Sequence, residues 1–176
     1  MIIPPRAIFT GDPSCWPVTG LSDREALDPE GVGIDLRLDK VHVIADGGEL
    51  LVETRRTSTS HSVDADDAGC YVFSPGNWYL VTTVESMNLP MNLAATIFPR
   101  STLFRSGVAL HSSVVPPGYC GALTFGLSVG GGSDFVIQRF ARFCHLVVAT
   151  VADGATPYRG QWQGGRVSQP SPERQK

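Results

Sequence analysis

The apolar residues of this chain come in short runs, and nearly every run is closed by glycine or proline. That rhythm suits strands and turns and leaves little room for long helices. Ile34, Leu36 and Leu38 alternate with Asp35 and Arg37. Leu123, Phe125 and Leu127 likewise alternate with Thr124, Gly126 and Ser128, the period of a half-buried strand. Gly130-Gly131-Gly132 halts the second run. Segments 41–44 and 50–52 read as strands joined by a hairpin at Asp46-Gly47-Gly48. Segments 70–73, 78–83, 94–98, 108–110, 135–137 and 143–151 read as further short strands. The polar stretch 54–69 reads as a loop. Residues 4–32, rich in Pro, Gly and Asp, read as an irregular arm with one helical turn near 22–27. With 19 glycines and 13 prolines in 176 residues, 42% of them hydrophobic, the chain has the bulk for one core and the turns for many strands. The expected fold is all-β, an antiparallel sandwich or barrel with little helix.

Charge excludes some partners. The 14 Lys and Arg against 17 Asp and Glu leave a net charge of −3, no electrostatic footprint for nonspecific nucleic-acid binding or for an anionic membrane surface. No apolar run approaches the ~18 residues of a transmembrane helix. The apolar part of Met1-Ile2-Ile3-Pro4-Pro5-Arg6 is too short for a signal peptide. Cys15, Cys70, Cys120 and Cys144 are scattered without a C-x-x-C pair. That argues against a zinc site or disulfide scaffold and for free thiols in a cytoplasmic protein. From residue 156 the composition turns to Gly, Gln, Pro and Arg. The chain therefore divides into a β domain over 1–155 and a tail over 156–176, flexible until something holds it.

Phe98-Pro99-Arg100-Ser101-Thr102-Leu103-Phe104-Arg105-Ser106-Gly107 gathers two arginines, two hydroxyls and the start and stop signals of a short helix. Ser101 or Thr102 can cap it, and Gly107 can end it one turn later. Free N–H groups at the helix start, flanked by Arg100 and Arg105, suit a phosphate. The same residues would equally make a capped surface helix with two solvated arginines. A tight turn, Pro117-Gly118-Tyr119-Cys120-Gly121, follows.

Taken in order, these segments resemble the dCTP deaminase/dUTPase superfamily. The stretch from Arg100 to Gly107 is similar to its nucleotide-binding pattern R-S-S/G-x-x-R-x-G. Gly31-Val32-Gly33-Ile34-Asp35-Leu36-Arg37-Leu38 is similar to its S-V-D-L-R-L strand. Ser74-Pro75-Gly76 and Thr82-Thr83-Val84-Glu85 resemble its P-G…T-T-x-E segment, and Leu89-Pro90 its L-P. The 117–121 turn resembles its D-x-G-Y/F-x-G, and Tyr158-Arg159-Gly160-Gln161 its C-terminal Y-x-G-Q. The resemblance implies a distorted dUTPase-like β-barrel, assembled as a homotrimer with sites between subunits and tails closing over them. It implies a pyrimidine deoxynucleoside triphosphate as ligand. Arg100, Ser101, Thr102 and Arg105 would meet its phosphates and flank the base. Tyr119 would stack on deoxyribose, and Tyr158, Arg159 and Gln161 would approach from the tail. Mg2+ would bridge the phosphates, held by nucleotide and water rather than by a protein-built metal site.

The chain departs from the family pattern where the chemistry sits. Pro116 stands at the turn position of an Asp that helps organise the attacking water in dUTPases. Gly126 stands where deaminases carry a Glu that acts as acid and base. Neither side chain can move a proton. The loop 108–115 is also shorter than in deaminases. His111 and Glu85 are the substitutes within the motif region, each with an ordinary structural alternative. Asp35 reads as structural. Zinc deaminases need H-x-E with P-C-x-x-C, and α/β-hydrolases need G-x-S-x-G; the chain has neither. Two functions stay open. One is dUTP hydrolysis to dUMP and diphosphate, with dCTP deamination harder to reconcile with Gly126. The other is a catalytically degenerate trimer that binds nucleotide or serves a regulatory or structural role.

Overall fold

The alternation in the sequence is realised as a distorted antiparallel barrel. The computed structural model describes residues 1–175; Lys176, the end of the tail, lies outside the described residues. Strands β1 (Ile2–Ile3) and β2 (Val18–Thr19) and helices α1 (Pro5–Ile8) and α2 (Asp23–Leu27) form the N-terminal arm. The barrel proper follows with β3 (Ile34–Ile44), β4 (Glu49–Leu50), β5 (Thr54–Arg56), β6 (Ser60–Val63), β7 (Cys70–Phe73), β8 (Trp78–Asn88) and β9 (Leu93–Pro99). Helix α3 (Ser101–Arg105) leads to β10 (Val108–His111), β11 (Cys120–Val129), β12 (Phe135–Gln138) and β13 (Arg142–Thr150), and β14 (Glu173–Arg174) lies in the tail. The main sheet runs β1-β13-β3-β8-β11-β10, with β9 on β13, β6 on β3 and β2 on β8. Leu36, Leu38, Val81, Phe73, Leu127, Phe143 and Leu146 are fully buried at its centre. Phe125 meets Phe143 edge-on at 5.9 Å.

Two bulges, between Leu38 and Val41 on β3 and between Ala122 and Thr124 on β11, flank β8 on either side. A bulge frees backbone donors that a buried sheet must satisfy. Adjacent threonines of β8 do so. Lys40 N–H donates to Thr82 Oγ1 at 3.2 Å, and Leu123 N–H donates to Thr83 Oγ1 at 3.0 Å. Two residues on, the wholly buried Glu85 accepts Arg37 N–H at 2.8 Å and Arg37 Nε–H at 2.7 Å. Thr82-Thr83-Val84-Glu85 is thus a brace for the barrel, and Glu85 is committed to Arg37.

Two sequence expectations are corrected. The 54–69 stretch is not a loop: β5 and β6 lie within it, and β6 pairs with β3 from Val41↔Val63 to Ile44↔Ser60. The 46–48 segment accordingly joins no hairpin. Asp46 instead accepts Thr59 N–H and Oγ1–H, at 2.6 and 3.0 Å, and β4 pairs with β5. The helical turn near 22–27 is present as α2, where Glu25 N–H donates to the Ser22 hydroxyl at 3.4 Å.

Candidate functional site

The arginine-rich segment folds as α3, with Arg100 rather than Ser101 or Thr102 in the cap position and no side chain capping the first turn. The reason is local. Arg100 is extended (φ −66°, ψ 146°), and its N–H is held by Phe143 O at 3.0 Å, so the helix starts directly after it. Gly107 ends the turn with φ +74°, a conformation glycine adopts without strain. Leu103 is buried and anchors the helix, which leaves Ser101, Thr102 and Arg105 exposed.

Arg100 turns inward. Its Nη1 donates to Asp35 Oδ2, which also accepts Arg142 Nη1 at 3.1 Å, while His145 Nδ1 lies 2.9 Å from Asp35 Oδ1. Burial pushes the Asp35 carboxyl up, but the His145 hydrogen bond and the two guanidiniums outweigh it and hold it below the usual carboxylate range. The buried Glu25 accepts Asp35 N–H at 3.0 Å behind it. Asp35 is therefore structural, as its strand position suggests. Arg142 and His145 gave no sequence signal, because only the β13–β3 pairing brings them to Asp35.

A cavity of about 370 Å³ opens on the outward face of β11. Pro116, Tyr119, Thr124 and Gly126 form one wall, Ile44 and Leu80 a second, and Tyr158, Trp162 and Arg166 of the tail a third. None of Arg100, Ser101, Thr102, Arg105, Arg159 or Gln161 lines it. The structure thus brings Pro116, Gly126, Tyr119 and Tyr158 together and leaves the α3 motif outside. Tyr119 packs edge-on against Tyr158 at 5.5 Å and donates its hydroxyl to Ala122 O at 2.8 Å. Burial, reinforced by Tyr158, pushes its phenol up to about 12. Thr124 Oγ1 is buried and without a partner among the described residues. The lining, among the described residues, includes no carboxylate. Its cation, Arg166, donates to Gln161 O at 3.0 Å, to the Gln169 side chain, and reaches Glu173 Oε2 at 3.5 Å.

The space beyond Gly126 is occupied. A Cβ there would lie 2.8 Å from Cζ2 of Trp78, 3.1 Å from Cε2 and 3.2 Å from Nε1. The indole stacks on His111 with ring centroids 4.3 Å apart, and His111 Nε2 lies 3.2 Å from Ser128 Oγ. Strand register sets this up: His111 pairs with Gly126, and Ser128 with Trp78. His111 is therefore engaged in a surface stack, and sequence reasoning missed Trp78 because its neighbours are known only once β8 and β10 flank β11.

The 117–121 turn cradles the tail. Tyr158 N–H donates to Pro117 O at 2.8 Å and Gly164 N–H to Cys120 O at 2.8 Å. Gln163 Nε2 donates to Gly118 O at 2.9 Å. A Cβ at Gly121 (φ +127°) would sit 2.5 Å from Gly165 N, so the turn needs glycine there. Farther along, Gln169 N–H donates to Thr57 Oγ1 at 2.7 Å, and β14 pairs with β5. Arg159 is exposed, whereas Gln161 Oε1 is buried and unpartnered among the described residues.

The antiparallel barrel and its ordered motifs define a member of the dCTP deaminase/dUTPase superfamily. The sequence model of the family described as dCTP deaminase-like matches residues 21–151, and the chain belongs to that family. It is 32% identical over 131 residues to the probable deoxyuridine 5'-triphosphate nucleotidohydrolase of Methanothermobacter thermautotrophicus, covering 74% of this chain and 85% of that one. It is 32% identical over 154 residues to the dCTP deaminase of Pyrobaculum calidifontis, covering 81% and 82%. The crystal structure of 2'-deoxycytidine 5'-triphosphate deaminase from Agrobacterium tumefaciens shares the fold, with a TM-score of 0.62 at 20% identity. That match covers 84% of this chain and 47% of the other.

Proposed function

We propose that this protein binds a pyrimidine deoxynucleoside triphosphate, as its family membership suggests, and performs no acid–base chemistry on it. The observation that carries the second half is the Trp78 indole packed where a side chain at 126 would go, beside a cavity lined without a carboxylate. A general base must lie within hydrogen-bond reach of the proton it takes. Glu85, the nearest family-position acid in sequence terms, is buried against Arg37 instead.

The α3 arginines lie outside the cavity wall, which supports a site shared between protomers: one contributes Arg105, Ser101 and Thr102 to the phosphates, another the cavity and Tyr119. Phe98 and Phe104, 50% and 57% exposed beside this motif, supply apolar surface for a trimer contact. Tyr158, Arg159 and Gln161 would close from the tail. Among the described residues no cluster of three or more His, Cys, Asp or Glu could hold a metal. Mg2+ would therefore arrive with the phosphates as part of the ligand. No helix is long and apolar enough to cross a membrane among the described residues, and the four free thiols suit the cytoplasm.

The test offers the full chain dUTP and dCTP with Mg2+, separates the products, and measures binding of non-hydrolysable analogues by calorimetry. Binding without turnover is expected. Formation of dUMP or dUTP at stoichiometric protein would overturn the loss of chemistry, and absence of any binding would overturn the nucleotide reading.

A further inference from the structure

We infer that the free edge of β12 docks an extended acidic peptide segment of another protein, which joins the sheet as an added strand. The groove that receives it shares no lining residue with the cavity on β11.

β12 has a strand neighbour on one side alone. It pairs with β7 from Phe135↔Phe73 to Gln138↔Cys70, as a two-stranded sheet. Arg139 N–H donates to Gly69 O at 2.7 Å, the next pair in that register. Bonded pairs alternate along an antiparallel ladder, so Ile137 and Phe135 also bond β7, while Val136 and Gln138 turn their backbone groups away from it. Gln138 O accepts Ala141 N–H at 3.0 Å, which leaves Val136 N–H, Val136 O and Gln138 N–H without a partner among the described residues. Phe135-Val136-Ile137-Gln138 has no charge, proline or bulge, the devices that keep a strand edge from pairing. Val136 and its cross-strand neighbour Val72 are 54% and 50% exposed.

A groove of about 340 Å³ lies along this strand. All of β12 lines it, with Arg100, Thr102 and Leu103 of α3 and Ala141, Arg142 and Phe143. Leu103, Ile137 and Phe143 are buried and give it an apolar floor. Arg100 and Arg142 spend only Nη1 on Asp35 and Glu25. Nε and Nη2 of both guanidiniums have no partner among the described residues.

These two features select the occupant. Unpaired edge N–H and C=O groups answer a peptide backbone, whereas a small anion leaves them unmet. Free guanidinium N–H groups answer a carboxylate, whose two oxygens match the fork of an arginine. A strand that alternates Val with Glu meets both, bonding Val136 and Gln138 through its backbone and Arg100 and Arg142 through its carboxylates. The chain's own tail is pinned elsewhere, to the 117–121 turn and to β5. β12 of a second copy brings no carboxylate.

The test is fluorescence anisotropy on the full chain without nucleotide, using labelled Val-Glu-Val-Glu-Val as probe. It should bind roughly 10-fold tighter than Val-Lys-Val-Lys-Val. Alternate N–H groups of an added strand face β12, so N-methylating the odd and then the even residues should weaken binding about 10-fold in one case and little in the other. Val136→Pro removes a donor that faces away from β7, a site where an edge strand tolerates proline, and should cost about 10-fold in affinity. Equal binding of the Glu and Lys probes, equal effects of the two methylations on the unaltered protein, or unchanged affinity in Val136→Pro overturns the inference. Absence of probe binding overturns it too. If concentration-dependent assembly is then seen and Val136→Pro abolishes it, the edge belongs to a second copy instead.

Discussion

Gly126 has a packing reason that can be separated from its catalytic meaning. In Gly126→Ala the new methyl meets three indole atoms at 2.8, 3.1 and 3.2 Å, so Trp78 must shift by several tenths of an ångström or swing away from His111. Overpacking of this kind costs about 1–3 kcal/mol, and the lower half of that range applies because Trp78 is 42% exposed and can yield outward. For a chain of this size the melting temperature should fall by roughly 2–8 °C. In a Trp78→Ala background those three contacts are gone, and the lower entropy of the unfolded chain should make the same change stabilising by ~0.4–1 kcal/mol. The double-mutant cycle, read by urea unfolding at fixed protein concentration, should give a coupling of about 1.4–3 kcal/mol. The same effect of Gly126→Ala in both backgrounds would show that the indole does not hold this position, and the account of the missing carboxylate would go with it.

Arg105 is exposed on α3, so Arg105→Ala should leave unfolding unchanged while weakening nucleotide binding roughly 10- to 150-fold, the loss of one charge-assisted contact. Unchanged affinity with a lowered melting temperature would make it an interface residue instead. Gly121→Ala places a Cβ 2.5 Å from Gly165 N and should expel the tail, so trypsin should cut after Arg159 and Arg166 several-fold faster than in the parent protein. Equal cleavage rates would refute the cradle. His42 is held below its usual pKa by burial first and by Lys40 second, and its Nε2 is buried and unpartnered among the described residues. The unfolded chain then binds the proton more readily, so this contribution to stability is full above about pH 6.5 and lost as pH falls through the folded value. His42→Gln should flatten the fall in melting temperature between about pH 7 and 5, and a slope equal to the parent's would assign it to other groups.

Period-two alternation made β3 and β11 legible because each puts one face in the core, which ties sequence parity directly to burial. The pairing partners were not legible in the same way. β6 lies in a polar stretch and is stabilised by backbone bonds to β3 rather than by its own apolar residues, so composition alone reads it as a loop. The hairpin signal at Asp46-Gly47-Gly48 failed for the same reason: β3 already has its partner, and Asp46 spends its carboxylate on Thr59. The motif residues could be proposed from the sequence because their types and order are local. Trp78, Thr124, Arg142 and His145 could not, since each matters through a neighbour that only the sheet supplies.

The two halves of the candidate site use their charges in opposite ways. At the α3 end, Arg100 is anchored by a carboxylate whose proton is hard to restore, because His145 and Arg142 share Asp35 with it. That arrangement keeps Arg100 in place but spends much of its charge, leaving Arg105 as the freer cation of the pair. At the cavity end, the Tyr119 phenol is raised by burial and packs against the Tyr158 ring, and the guanidinium of Arg166 is already bonded within the tail. Binding at the first end should therefore weaken steeply with salt, as exposed charge contacts do. Occupancy of the second should respond to apolar area and hardly to salt. A titration of the non-hydrolysable dUTP and dCTP analogues across salt concentrations should accordingly shift both affinities in parallel while their ratio stays constant. A ratio that varies with salt would mean that charge, not apolar area, decides which base the cavity accepts.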